Sequence, residues 1–198
     1  MEMLHLIYDT ETTGLPIDYK AHVHEVDNWP RLVQLAFMVC NDHWETLTVR
    51  NYIIKPDGFE IPDEAAEIHG INQARALEEG VDILVPLREM AIVQELVDVQ
   101  VGHNINFDRK VLGAEFIRND MEGAYYQAKD VLPRICTMFK TTKLVGLKLG
   151  NRPKWPKLEE LYSFLFNEPL DGAHDAMVDV MATRACYKRL VGTGEICP

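Results

Sequence analysis

Residues 4–14 read Leu4-His5-Leu6-Ile7-Tyr8-Asp9-Thr10-Glu11-Thr12-Thr13-Gly14. An apolar run over residues 4–8 predicts a strand, and it drives straight into two acids one residue apart. A strand's period of two puts Asp9 and Glu11 on the same face. Two carboxylates held that close repel unless a cation neutralises them. Hard divalent ions such as Mg²⁺ take oxygen ligands of this kind, one or two carboxylates plus a substrate phosphate. Thr12, Thr13 and Gly14 then turn the chain and offer N–H groups and small hydroxyls to a substrate terminus. On its own, an Asp-x-Glu also fits a strand that merely ends in polar residues, so the rest of the chain decides.

Working outward, residues 15–30 form a loop opened by Leu15-Pro16 and closed by Trp29-Pro30. His22 and His24 lie in it beside Glu25 and Asp27, and a second metal site there is weighed against solvated loop histidines. Residues 32–40 are nearly continuous apolar sequence, the pattern of a buried central strand. A turn at Asn41-Asp42-His43 leads to a third strand over residues 47–54, hairpin-paired with the second. A short helix begins near Pro62 with Asp63 as its cap and ends at His69-Gly70. A longer helix spans residues 83–98. Residues 99–104 give a short fourth strand, followed at once by a helix from Asn106 to Ile117 that carries Asp108. In open α/β sheets that edge is where sites form. A fifth strand is expected over residues 133–138. Leu158, Leu161, Tyr162 and Leu165 follow a helical period over 158–166. The last helix starts near His174-Asp175 and buries Ala176, Val180, Thr183, Tyr187 and Leu190.

The chain has 198 residues, 47% apolar and 26% charged, and carries a formal net charge of −11. No apolar run approaches the ~18 residues of a membrane span, which excludes a helical membrane protein. Cys40, Cys136, Cys186 and Cys197 show neither a metal-binding nor a staple-like spacing, so free thiols and a cytoplasmic location are expected. The acidity argues against nonspecific coating of nucleic acid. It is uneven, however: between Lys129 and Lys157 eight cations face the single acid Asp130. This stretch is either a solvated face or a phosphate track.

Three acidic stations stand out: Asp9 with Glu11, Asp108, and Asp179. His174 lies five residues before Asp179, which is about 140° around a continuous helix. The two reach one site only if His174 is still in the loop, with Asp175 as N-cap. Four carboxylates around one point call for two divalent cations, Mg²⁺ or Mn²⁺. Two metals ~3.5–4 Å apart clamp the attacking and leaving oxygens of an in-line phosphoryl displacement. A nearby imidazole suits removal of the water's proton.

With these residues in hand, the chain resembles the DEDDh 3′–5′ exonucleases, the proofreading branch of the DnaQ-like group on a ribonuclease-H-like fold. The resemblance rests on Asp9-Thr10-Glu11-Thr12-Thr13-Gly14, on His103-Asn104-Ile105-Asn106-Phe107-Asp108 and on His174-Asp175-Ala176-Met177-Val178-Asp179, with Ile68-His69-Gly70-Ile71 as an accessory match. The motifs come in family order. The resemblance implies an α/β fold, a mixed five-stranded sheet of order 3-2-1-4-5 with helices on both faces, and one exonuclease domain over residues 1–198. It implies Asp9, Glu11, Asp108 and Asp179 as metal ligands and His174 as general base. Thr12 and Thr13 would contact the terminal nucleotide, Leu15 would wedge against its base, and Asn104 and Phe107 would line the strand path. The implied reaction releases nucleoside 5′-monophosphates from the 3′ end of single-stranded DNA. DNA is favoured over RNA because the first motif carries paired threonines, and an exoribonuclease is the alternative. A DNA polymerase or other replication partner is admitted, although no tethering tail is expected beyond Leu190. Many relatives end the fifth strand in Asp-Thr, where this chain has Cys136-Thr137.

Two rivals were weighed. A histidine–aspartate metal phosphohydrolase would need more histidines on an all-helical frame. A non-catalytic nucleic-acid-binding module on the same fold would be favoured by the loss of any one carboxylate, and all four are present. Asp108 also fits a plain helix cap, and His103 and His69 fit structural roles better than catalytic ones.

Overall fold

The structure, a computed structural model, describes residues 2–197, with the side chains of residues 127–131 outside that description. The first strand, β1 (Leu4–Thr12), runs past the expected residue 8, so both acids stand within it. β2 (Leu32–Asn41) is buried at all ten positions, as its unbroken apolar sequence requires. β3 (Thr46–Ile53) pairs with it as a hairpin. The crossover from β3 back to the sheet holds α1 (Asp63–His69), α2 (Gln73–Glu79) and α3 (Leu84–Leu96). Then come β4 (Val99–Gly102), α4 (Ile105–Arg118), α5 (Glu122–Val131), β5 (Arg134–Cys136) and α6 (Thr137–Val145). A two-residue ribbon, β6 (Lys148–Leu149) with β7 (Arg152–Pro153), precedes α7 (Leu158–Phe166) and α8 (Ala176–Gly192).

The sheet order is β3-β2-β1-β4-β5. β1, β2 and β3 are antiparallel, while β1, β4 and β5 are parallel. This is the ribonuclease-H-like arrangement that the sequence implied. A short hairpin joins β2 to β3, a longer loop over residues 13–31 joins β1 to β2, and the long helical crossover gives the parallel half.

Period two sorts β1 between two cores. Leu6 and Tyr8 pack with Leu87, Met90, Val111 and Phe116 from α3 and α4. Ile7 faces the other way, with Val180, Tyr187 and Leu190 of α8. Each such side chain contributes about 1.5–3 kcal/mol on burial. The same alternation continues into the acids, so Asp9 and Glu11 emerge on the α8 face.

Several local expectations need correction. Asp63 is not the cap of α1: Pro62 takes that place with no side-chain bond, and Asp63 is the first helical residue, where its charge still complements the helix N-terminus. The fifth strand stops at Cys136, because Thr137 already starts α6. Asp108 is not a cap either; Asn104 holds that position at φ 68° and Asp108 sits one turn in. The loop at residues 15–30 contains a single 3-10 turn, Val26–Asn28, and sends Val23 and Trp29 into the core.

Candidate active site

A buried glutamine ties β2 to the start of α8. Gln34 is buried on β2 opposite Glu11. Its side-chain amide donates to Asp175 Oδ2 (3.3 Å) and to Asn51 Oδ1 (2.9 Å), and its carbonyl accepts from the Ala176 N–H (3.1 Å). Asp175 caps α8 by accepting from the N–H groups of Met177 and Val178. The helix therefore starts at Ala176, with His174 outside it and Asp179 in its first turn. Sequence reasoning passed over Gln34; a lone glutamine in an apolar run was the available signal.

Asp9, Glu11 and Asp179 each offer a carboxylate oxygen within 4.8 Å of the others. Asp108 arrives from the opposite face of the sheet, on α4. Its Oδ1 accepts from both the N–H (3.2 Å) and the hydroxyl (2.7 Å) of Thr10. It lines the same cavity of about 580 Å³ as the other three but stands outside their tight cluster. The register between β1 and β2 slips just after Glu11, and such an irregularity beside a site re-aims the strand's last side chains.

The electrostatics follow from this crowding. Burial, then the charges of Asp108, Asp179 and Glu11, push the Asp9 carboxyl well above its usual range. Burial and the neighbouring acids push Glu11 up to about 8. Burial lifts Asp108 to about 7 against the two Thr10 hydrogen bonds. Asp179 rises to about 6, again mainly through burial, against the nearby His174 N–H. No lysine or arginine forms an ion pair with any of the four among the described residues, and Asp179 Oδ1 is buried without a partner. An all-oxygen donor set, converging and uncompensated, fits a hard divalent cation.

His174 is exposed at the rim of this cavity, in the loop before α8, and its N–H lies 3.4 Å from Asp179 Oδ2. Asn104 lines the same cavity. Leu15, 74% exposed, and Phe107 stand between it and an apolar neighbour of about 440 Å³. Thr12 and Thr13 line that second cavity rather than the first. Both hydroxyls are engaged, Thr12 donating to the Gly14 carbonyl (2.7 Å) and Thr13 accepting from the Arg31 N–H (3.0 Å).

Other expected features resolve as structural. His103 bonds Thr137 Oγ1 and the Pro156 carbonyl, each at 2.9 Å. His69 Nδ1 accepts from the Ile71 N–H. His22 and His24 stack on one another, and His24 reaches Tyr126 and Glu122. No three-ligand cluster forms around them among the described residues. In the basic stretch, Lys154 pairs with Glu160 and Lys157 with Glu159, which leaves Arg134, Lys140, Lys143, Lys148 and Arg152 without ion pairs among the described residues; the side chains of Lys129 and Asp130 lie outside them.

A family model describing exonucleases (RNase_T) matches residues 6–187, spanning all three motifs. The chain belongs to this exonuclease family. The fold agrees: structures of Escherichia coli exonuclease I superpose on it. One, in complex with a 5cy-dT13 oligonucleotide, has a TM-score of 0.74 at 20% identity, covering 97% of this chain and 41% of that one. Another, a zinc-bound complex with single-stranded DNA, has a TM-score of 0.71 at 24% identity, covering 98% and 41%. A complex with dT13 gives 0.69 at 22% identity, covering 95% and 41%. The chain thus spans about two fifths of the length of those exonucleases. Comparison with curated proteins finds no match in sequence. Among the described residues no helix is long and apolar enough to cross a membrane.

Proposed function

We propose that this chain is a divalent-metal-dependent 3′–5′ exonuclease unit that releases nucleoside 5′-monophosphates from single-stranded DNA. The observation that carries the reading is the convergence of Asp9, Glu11 and Asp179 within 4.8 Å, with Asp108 in the same cavity and no lysine or arginine ion-paired with any of the four among the described residues. These four carboxylates would hold two ions, Mg²⁺ or Mn²⁺. When bound, such ions neutralise charge on the attacking and leaving oxygens of phosphodiester hydrolysis.

The chain's own groups supply the rest. His174, on the cavity rim and outside the helix, accepts the proton of the attacking water at an imidazole nitrogen and returns it to solvent, to which it is exposed. Leu15 and Phe107 separate the acid cavity from its apolar neighbour, so a terminal nucleotide's base is held apart from the next one. Thr12 and Thr13 line that apolar neighbour, and Asn104 lines the path of the strand. DNA is the substrate favoured, supported by the related structures that carry single-stranded DNA oligonucleotides.

Matched single-stranded DNA and RNA, labelled at the 3′ or the 5′ end, test this with Mg²⁺ or Mn²⁺. A 3′ label should appear in mononucleotide at the earliest times, while a 5′ label should give a descending ladder. Faster turnover of RNA would reassign the substrate. Release of the 5′ label first, or no release at all, would overturn the reading.

A further inference from the structure

The acid cavity has a wall that the chemistry above does not use. Trp155 lines it, and the residue is 60% exposed. Leaving a large apolar ring in water beside a binding cavity forgoes the stabilisation that burial would give. The ring is nonetheless held in place. It meets Phe139 edge-to-face, with centroids 5.1 Å apart and planes at 84°. Its backbone is tied on both sides: the Lys154 N–H donates to the Leu147 carbonyl (2.9 Å), and the Pro156 carbonyl accepts from His103 (2.9 Å). Pro153 and Pro156 bracket it, and the residue before a proline is confined to extended conformations. His103 itself stands between β4 and Asn104, at the root of the site.

Beyond Phe139 the surface opens into a second cleft of about 320 Å³, to which Arg134, Lys140 and Asn106 also contribute. Neither Arg134 nor Lys140 forms an ion pair among the described residues. An exposed ring, a fixed partner ring and unpaired cations thus follow one another away from the acids. Stacking on aromatic rings combined with a cationic groove is how unpaired strands are held without regard to sequence.

Resting on the exonuclease reading, we propose that Trp155, braced by Phe139, is a stacking platform for an unpaired base upstream of the 3′ end, with Arg134 and Lys140 taking the phosphate that follows. The platform makes affinity depend on strand length: a dinucleotide is too short to reach it, whereas a hexanucleotide covers it. Every base has a face to stack, so the platform discriminates by strandedness and length rather than by sequence.

Two measurements test it. In wild type, KM should fall from dinucleotide to hexanucleotide. In Trp155→Ala that fall should shrink by about tenfold, the worth of one stacked base, and Trp155→Phe should restore most of it. Separately, oligo-dT added in the presence of a chelator should quench tryptophan emission. Of the three tryptophans, Trp29 is buried and Trp155 is the most exposed. The quenching should vanish in Trp155→Phe. An undiminished length dependence in Trp155→Ala overturns the platform, as does quenching that survives in Trp155→Phe or is missing in wild type. Absence of nucleotide release by wild type from every oligonucleotide is a different failure, and it overturns the exonuclease reading itself.

Discussion

Two buried groups of charge lie against the β1–β2 pair, and they are resolved in opposite ways. Glu115, on α4, is wholly buried, and its Oε1 takes the Arg31 guanidinium (2.8 Å), the Arg118 guanidinium (2.9 Å) and the Leu32 N–H (3.1 Å). The four acids gathered near the end of β1 have no lysine or arginine partner among the described residues. Desolvating a charge without a partner costs several kcal/mol, so a chain keeps an uncompensated cluster only where something outside it completes the balance. The first group joins the 15–30 loop to α4 and is structural. The second forms no ion pair with a lysine or arginine among the described residues, and that uncompensated charge is what the proposed metal ions would balance.

The sharpest way to break this contrast is Asp9→Ala. Nucleotide release should fall by several orders of magnitude, while the metal-free protein keeps its fold and becomes more stable, because mutual repulsion is relieved. Near-normal turnover in Mg²⁺ would dissolve the distinction. His174→Ala should lower kcat by about 10²–10⁴-fold with KM little changed; a full rate at neutral pH would send the proton elsewhere. Glu115→Ala should act in the other direction from Asp9→Ala, costing about 2–4 kcal/mol in denaturant unfolding, since it strands two partly buried guanidinium groups.

A pH titration of stability separates the two groups without disabling either. Asp9, Glu11, Asp108 and Asp179 all titrate above the usual carboxyl range when folded. Between the unfolded value of about 4 and a folded value of about 8 for Glu11, the folded apoprotein binds more protons than the unfolded chain. Its stability should therefore fall as pH rises across that window, and added Mg²⁺ should restore it at the upper end. An equal slope in Asp9→Asn would show that the acids do not set it. The smallest effect belongs to the unpaired lysines: Lys143→Ala with Lys148→Ala should flatten the salt dependence of long-strand binding by roughly 0.7 log unit per lost phosphate contact. Lys154, already paired with Glu160, should add little.

The strands and the acids were legible because they obey simple periods. β2 announces itself by the nearly continuous apolar run over residues 32–40, and Asp9 and Glu11 by alternation. Helices α2, α5 and α6 were not. α6 reads Thr-Met-Phe-Lys-Thr-Thr-Lys-Leu-Val, rich in β-branched residues, and continues from a strand without a break signal. α5 mixes Gly123 with two tyrosines, a weak helical pattern that packing on α3 and α4 overrides. Convergence was only partly legible. Spacing placed His174 in a loop and Asp179 on a helix, but it carried no sign that Asp108 enters from the other face of the sheet and leans on Thr10. Nor did it mark Gln34 or Glu115, whose roles come from partners far away in sequence.

His174 adopts φ 71°, a left-handed backbone that an L side chain occupies at a cost of about 1–2 kcal/mol. Gly172, two residues earlier, does the same at φ 74° without that cost. The proposed proton acceptor is therefore mounted on a strained hinge of the main chain, and the least disruptive way to delete it is not alanine but glycine. His174→Gly relaxes the loop while emptying the rim of the cavity. Free imidazole, small enough to enter from solvent, should then recover part of the lost rate in proportion to its unprotonated concentration, turning an intramolecular base into one supplied from the buffer.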